Sequence, residues 1–131
     1  MSGEEDFDLT GQWSGIYNYP WRLPPNTFEA TIRDTGGLVA GVIAEPGGVF
    51  DPPGSIRHAV IEGNRDGSSL HFIKIYDNLG MPTPHYGGVV DSGGDEIEGE
   101  WTIPGVWSGT FLMIRGSRDS EALDRRIEEE V

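Results

Sequence analysis

Apolar and polar residues alternate along most of this chain with the two-residue period of strands that bury one face. Phe28, Ala30 and Ile32 alternate with Glu29, Thr31 and Arg33, while Ile97, Gly99, Trp101 and Ile103 alternate with Glu96, Glu98, Glu100 and Thr102. Read this way throughout, the chain predicts strands over residues 11–19, 26–35, 38–45, 55–63, 69–77, 84–91, 96–103 and 107–115. A helical period occurs only at the end, where Leu123, Ile127 and Val131 are spaced four apart on an otherwise acidic segment. The expected fold is all-β, an eight-stranded antiparallel up-and-down β-barrel with a short C-terminal helix or tail. Its boundaries are an acidic N-terminal tail over 1–8, the barrel over 9–116 and the acidic C-terminal segment over 117–131.

Turn residues set several pairings, because a two-residue Gly-Gly turn fixes the register of its hairpin. Gly36-Gly37 pairs Ile32 with Gly41, Ala30 with Ile43 and Phe28 with Glu45, which turns Glu45 inward near a strand end. Gly93-Gly94 pairs Val90 with Ile97, Gly88 with Gly99 and Tyr86 with Trp101, and turns His85 outward. Around Asn64–Ser68 two registers remain open: either Ala59 and Ile61, or His58 and Val60, share a face with Phe72 and Lys74. At Pro104-Gly105-Val106 a three-residue turn is preferred, since it places Trp107, Gly109, Phe111, Met113 and Arg115 inward.

The turns divide by character between the two barrel ends. One end has tight polar connections, and the other has long proline-rich ones at 20–25, 46–54 and 78–84. Function in such barrels usually sits at the end with the long loops.

The start Leu9-Thr10-Gly11-Gln12-Trp13, followed by a meander of strands over residues 9 to 116, resembles the calycin superfamily of lipocalins, fatty-acid-binding proteins and avidin-like proteins. Length and the first strand look most like the avidin and streptavidin branch. The resemblance implies that Trp13 closes the barrel base with Arg115, the basic residue ending the last strand, packed upon it. Geometry gives the same pairing, since the first strand starts beside the end of an antiparallel last strand. The chain departs from each branch: Gly15, Tyr17 and Tyr19 stand where biotin binders place small or polar groups, no helical lid fits between the first two strands, and there is no disulfide.

Composition narrows the function classes. Asp plus Glu number 22 against 9 Lys plus Arg, a net charge of -13, and that field repels nucleic-acid phosphates and anionic membranes. With no cysteine, disulfides and thiolate metal sites are absent. The N-terminus lacks the pattern of a signal peptide and no run is apolar enough to span a membrane, so a cytoplasmic protein is expected.

Candidate chemistry gathers near the proline-rich end. Tyr17, Tyr19, Trp21, Phe28, Tyr76, Tyr86, Trp101 and Trp107 are the expected aromatic walls, with Glu45 and Lys74 as polar discriminators. The competing reading is that these rings simply fill the barrel. Lys74, if inward, needs a carboxylate such as Glu45 or Glu62. His58, His71 and His85 lie on successive strands without converging, so neither a metal site nor a cofactor is expected, and no linear catalytic motif is present. The leading expectation is a binding barrel for a small apolar or aromatic molecule. A protein-interaction module presenting Trp21, Phe50 and Met81, whether to another protein or to a second copy, ranks second. An isomerase or cyclase using Lys74, Tyr76 or Glu45 ranks third.

Overall fold

A computed structural model of the chain describes residues 7–20, 23–47, 51–78 and 80–116. Its strands are β1 Gly11–Tyr17, β2 Asn26–Thr35, β3 Leu38–Pro46, β4 Ile56–Asp66, β5 Ser69–Tyr76, β6 His85–Val90, β7 Glu96–Ile103 and β8 Trp107–Arg115. All eight pair in sequence order and antiparallel, and β1 pairs with β8 to close the barrel. The C-terminal helix or tail expected from Leu123, Ile127 and Val131 lies outside the described residues. Among those residues no helix is long and apolar enough to cross a membrane.

The hairpin registers follow their turns. Gly36 and Gly37 both adopt positive φ, 59° and 97°, the conformation a tight two-residue turn demands and glycine supplies without strain. Ile32 accordingly pairs with Gly41 and Ala30 with Ile43. The β6–β7 hairpin has the expected register, Val90 with Ile97 and Tyr86 with Trp101, but a longer turn. There Gly94 N donates to Asp91 O, and Asp91 Oδ1 accepts from the backbone N–H groups of Asp95 and Glu96.

The undecided β4–β5 hairpin turns at Gly67-Ser68, with Asp66 opposite Ser69. Ala59 and Ile61 therefore face inward with Phe72 and Lys74, while His58 and Val60 face out. Arg57 and Arg65 fall on the same inward face as Ala59 and Ile61, one near each end of β4. At the β7–β8 connection Ile103 pairs with Trp107 across three residues, which sends Phe111 and Met113 into the core.

The base is sealed by two polar clamps around a buried tryptophan. Trp13 Nε1 donates to Leu9 O at 2.8 Å. Asp34 accepts from Arg65 Nε at 2.7 Å and from the backbone N–H groups of Leu9 and Gly37, tying the chain before β1 to two hairpins. Although burial opposes ionisation of Asp34, the bonds from Arg65, Leu9 and Gly37 outweigh it and hold the carboxyl below its ordinary range. Above this floor, Ile32, Ile61, Leu70, Ile97 and Met113 fill the lower barrel.

One stretch of the outer wall breaks the inside-outside code. Ile16, Leu112 and Ile114 point away from the core by alternation yet are buried together where β1 meets β8, beside the fully buried Ser14.

Candidate ligand-binding site

The upper interior is built around the only lysine in the chain. Strand β5 directs Lys74 into the barrel, and the Gly36-Gly37 register turns Glu45 of β3 toward it from across β4. Both are buried, at 0% and 1% exposure, and Lys74 Nζ donates to Glu45 Oε1. The other carboxylate oxygen accepts from the Tyr17 hydroxyl at 2.9 Å and the Tyr76 hydroxyl at 3.0 Å. Tyr17 Oη in turn accepts from Asn26 Nδ2 at 2.7 Å.

Aromatic faces surround the remaining sides of the ammonium. Nζ stands 4.7 Å from the Tyr17 ring centroid, 4.8 Å from Tyr76, 5.7 Å from Phe28 and 5.8 Å from Tyr86. Such contacts offset part of the desolvation a buried cation suffers. Burial still lowers the lysine from its ordinary range, with the neighbouring Glu45 charge pulling it back up. Burial, reinforced by the Glu45 charge, raises the Tyr17, Tyr76 and Tyr86 phenols, so all three stay protonated at neutral pH.

Above this ion pair opens a cavity of about 160 Å3, lined by Tyr17, Tyr19, Arg57, Tyr76, Met81, Pro82, Pro84, Tyr86, Trp101, Ile103 and Trp107. Its rings pack edge to face: Tyr19 meets Trp101 at 5.7 Å and 82°, and Trp101 meets Trp107 at 6.3 Å and 89°. This alternation suits the opposed charge of ring face and ring edge. Trp101 Nε1 donates to Asn18 O at 2.9 Å, which fixes its plane.

The expected walls thus divide into two layers. Tyr17, Tyr19, Tyr76, Tyr86, Trp101 and Trp107 line the cavity, whereas Phe28, Glu45 and Lys74 lie beneath it and are outside the lining. Trp21, and Phe50 of the second reading, lie outside the described residues. Met81 belongs to the cavity rim and is half-buried.

Arg57 is a lining residue that alternation alone did not reveal. It lies opposite Glu45 in the β3–β4 ladder, so the open β4–β5 register hid its inward face; choosing Ala59 and Ile61 as inward residues would have found it. Its Nε and Nη2 both lie 2.8 Å from Asp51 Oδ2, while Nη1 is 3.8 Å from Glu45 Oε2. Burial alone would lower this guanidinium, but the Asp51 partner reverses that and raises it.

Larger concavities exist on the outer wall, of about 480 and 450 Å3, but they are open grooves over the faces of β1 to β5. Both are more open to solvent than the barrel mouth, and the larger is edged by Glu29, Thr31, His58 and Asp77. His58, His71 and His85 are all exposed, and among the described residues no group of three or more His, Cys, Asp or Glu is placed to share a metal ion.

Fold and site together define a small closed antiparallel β-barrel with a ring-lined recess at one end, above a neutralised ion pair. No protein-family model matches the chain, and no curated protein matches it.

Proposed function

We propose that this chain is a calycin-like binding barrel that takes one small apolar or aromatic molecule through its proline-rich end. The observation that carries this reading is the cavity of about 160 Å3 walled by Tyr19, Tyr86, Trp101 and Trp107. A cavity of about 150 Å3 suffices for a benzene-sized guest. Support also comes from the floor. Glu45 already accepts from Lys74, Tyr17 and Tyr76, so the recess offers aromatic faces rather than an unsatisfied carboxylate. The same satisfaction ranks acid-base catalysis by Glu45 below binding. We infer a cytoplasmic setting, which the absence of cysteine suits, and neither nucleic acid nor membrane as partner.

Native mass spectrometry of protein purified gently from its own source tests the reading. Excess mass released on denaturation, with the occupant lost in Trp101→Ala but the fold retained, is the expected result. An empty chain whose tryptophan fluorescence responds to no small aromatic compound would overturn it.

A second reading has its own observation. Val42 and Val60 pair across β3 and β4, Val60 pairs with Ile75, and all three are exposed on the outer wall, at 55%, 42% and 36%. An apolar row of this kind fits a protein partner, including a second copy. Sedimentation of the wild type beside Val60→Glu distinguishes the two: a dimer abolished by the substitution supports assembly through this wall, and a monomer in both removes the self-association form of the reading.

A further inference from the structure

We propose that the occupant of the mouth cavity is an aromatic carboxylate of one ring, its anionic group held by Arg57. This rests on the reading of the cavity as a small-molecule site and adds the charge and size of the molecule. Among the described residues that line the cavity, Arg57 is the only charged side chain. Asp51 occupies Nε and Nη2, but among the described residues the nearest carboxylate oxygen to Nη1 is Glu45 Oε2 at 3.8 Å, beyond hydrogen-bonding reach. With respect to the described residues the guanidinium therefore retains N–H groups for an acceptor, and its planar fork matches a carboxylate.

The other lining groups are neutral and add no competing charge. The Tyr17 and Tyr76 hydroxyls donate to Glu45 and the Trp101 indole donates to Asn18 O, so each is already committed. Glu45 is itself spent on Lys74 and the two phenols, and presents no lone carboxylate to attract a cation. A cationic guest would offer the Arg57 N–H groups no acceptor, whereas a carboxylate offers two oxygens. Volume bears on the size of the enclosed part: about 160 Å3 accommodates one ring with a short substituent.

Calorimetric titration of the full chain with benzoate, benzamide and benzylamine tests this. The three share a ring and differ in charge. Benzoate is expected to bind about tenfold more tightly than benzamide, with benzylamine weakest. Arg57→Gln should bring benzoate down to the benzamide affinity with benzamide unchanged, and Arg57→Lys, which keeps the charge without the fork, should restore part of the difference. Equal binding of benzoate and benzamide by the wild type would overturn the carboxylate assignment and leave the aromatic cavity standing. Failure of all three to bind, joined to an empty chain in native mass spectrometry, would overturn both. Trp101→Ala should weaken all three probes alike, and loss of benzoate alone in that variant would count against a ring-walled site.

Discussion

The guanidinium of Arg115 lies over Trp13, 4.6 Å from the ring centroid, at the point where β1 and β8 close the barrel. The same group donates to the carbonyl oxygens of Asp8, Thr10 and Gly94 and reaches Asp95 Oδ1 at 3.2 Å. One side chain thus joins the segment before β1, the β6–β7 turn and the end of β8. Arg115→Met is expected to lower stability by about 1–3 kcal/mol, because it removes the cation over the ring and the bonds to several backbone carbonyls. Arg115→Lys should recover only part of this, since a lysine cannot serve three carbonyls and a ring face from one planar group. Urea midpoints of the three proteins check the order, and a lysine variant equal to wild type would reduce the clamp to a simple point charge.

The Lys74–Glu45 pair should couple strongly. Lys74→Met leaves a buried carboxylate with two phenol donors, and Glu45→Leu leaves a buried ammonium among rings. Either loss is expected to cost about 3–5 kcal/mol. The double variant Lys74→Met with Glu45→Leu should be more stable than either single one, since no uncompensated charge then remains. Equilibrium denaturation measures all four corners of the cycle, and simple addition of the two losses would refute the coupling.

Gly15 and Phe28 are cross-strand partners, and the Phe28 ring occupies the space that a Cβ on Gly15 would need. Gly15→Ala is expected to destabilise the barrel by about 1–3 kcal/mol through overpacking. With Phe28→Leu in place the same substitution should cost less, because the ring it collides with is gone. Thermal melts of the four proteins report this, and an unchanged penalty would place the strain in the backbone.

Alkaline pH should destabilise the upper barrel. Burial holds the Tyr17, Tyr76 and Tyr86 phenols above the unfolded value of about 10, so the folded state keeps protons that the unfolded chain releases. Their contribution is fully present below about pH 10 and is lost as pH rises past it. Lys74 acts in the opposite sense. Its folded pKa is lowered, so stability rises with pH over the window ending at the unfolded value near 10.5. Three phenols against one amine give a net fall above that window. The urea midpoint should therefore drop in strong alkali, less so in Tyr76→Phe, and phenolate absorbance should appear together with unfolding. Full ionisation of all tyrosines in a still-folded barrel would contradict the burial argument.

Much of the barrel was legible in the sequence because alternation and turn chemistry act locally. The Ala30–Ile43 pair follows from the Gly36-Gly37 turn, which also placed Glu45 inward, and the Tyr86–Trp101 pair has the expected register although its turn is longer than Gly93-Gly94 alone. The β4–β5 hairpin was not legible, because Asn64 and Asp66 read as turn residues whereas β4 continues through them to Asp66. Both are exposed, and an exposed polar position looks alike in a strand or a turn. That ambiguity concealed Arg57. Depth was the other missing quantity: alternation tells which face a residue takes, but tilt and stagger decide which inward residues share a level. Phe28, Glu45 and Lys74 therefore proved to lie beneath the cavity that Tyr19, Trp101 and Trp107 enclose.

The β1–β8 ladder, running from Trp13 opposite Arg115 to Tyr17 opposite Phe111, has a consequence for how this molecule can meet others. A ring of eight strands has no first and no last one, and so offers no free rim of main-chain donors and acceptors for an incoming strand to zip onto. Among the described strands no ladder edge is left to extend. On the two readings proposed above, recognition would fall to side chains, at the aromatic mouth for a small guest or along the Val42, Val60 and Ile75 row for a large one, so changing individual residues would retune the contact while the hydrogen-bonded hoop stays intact.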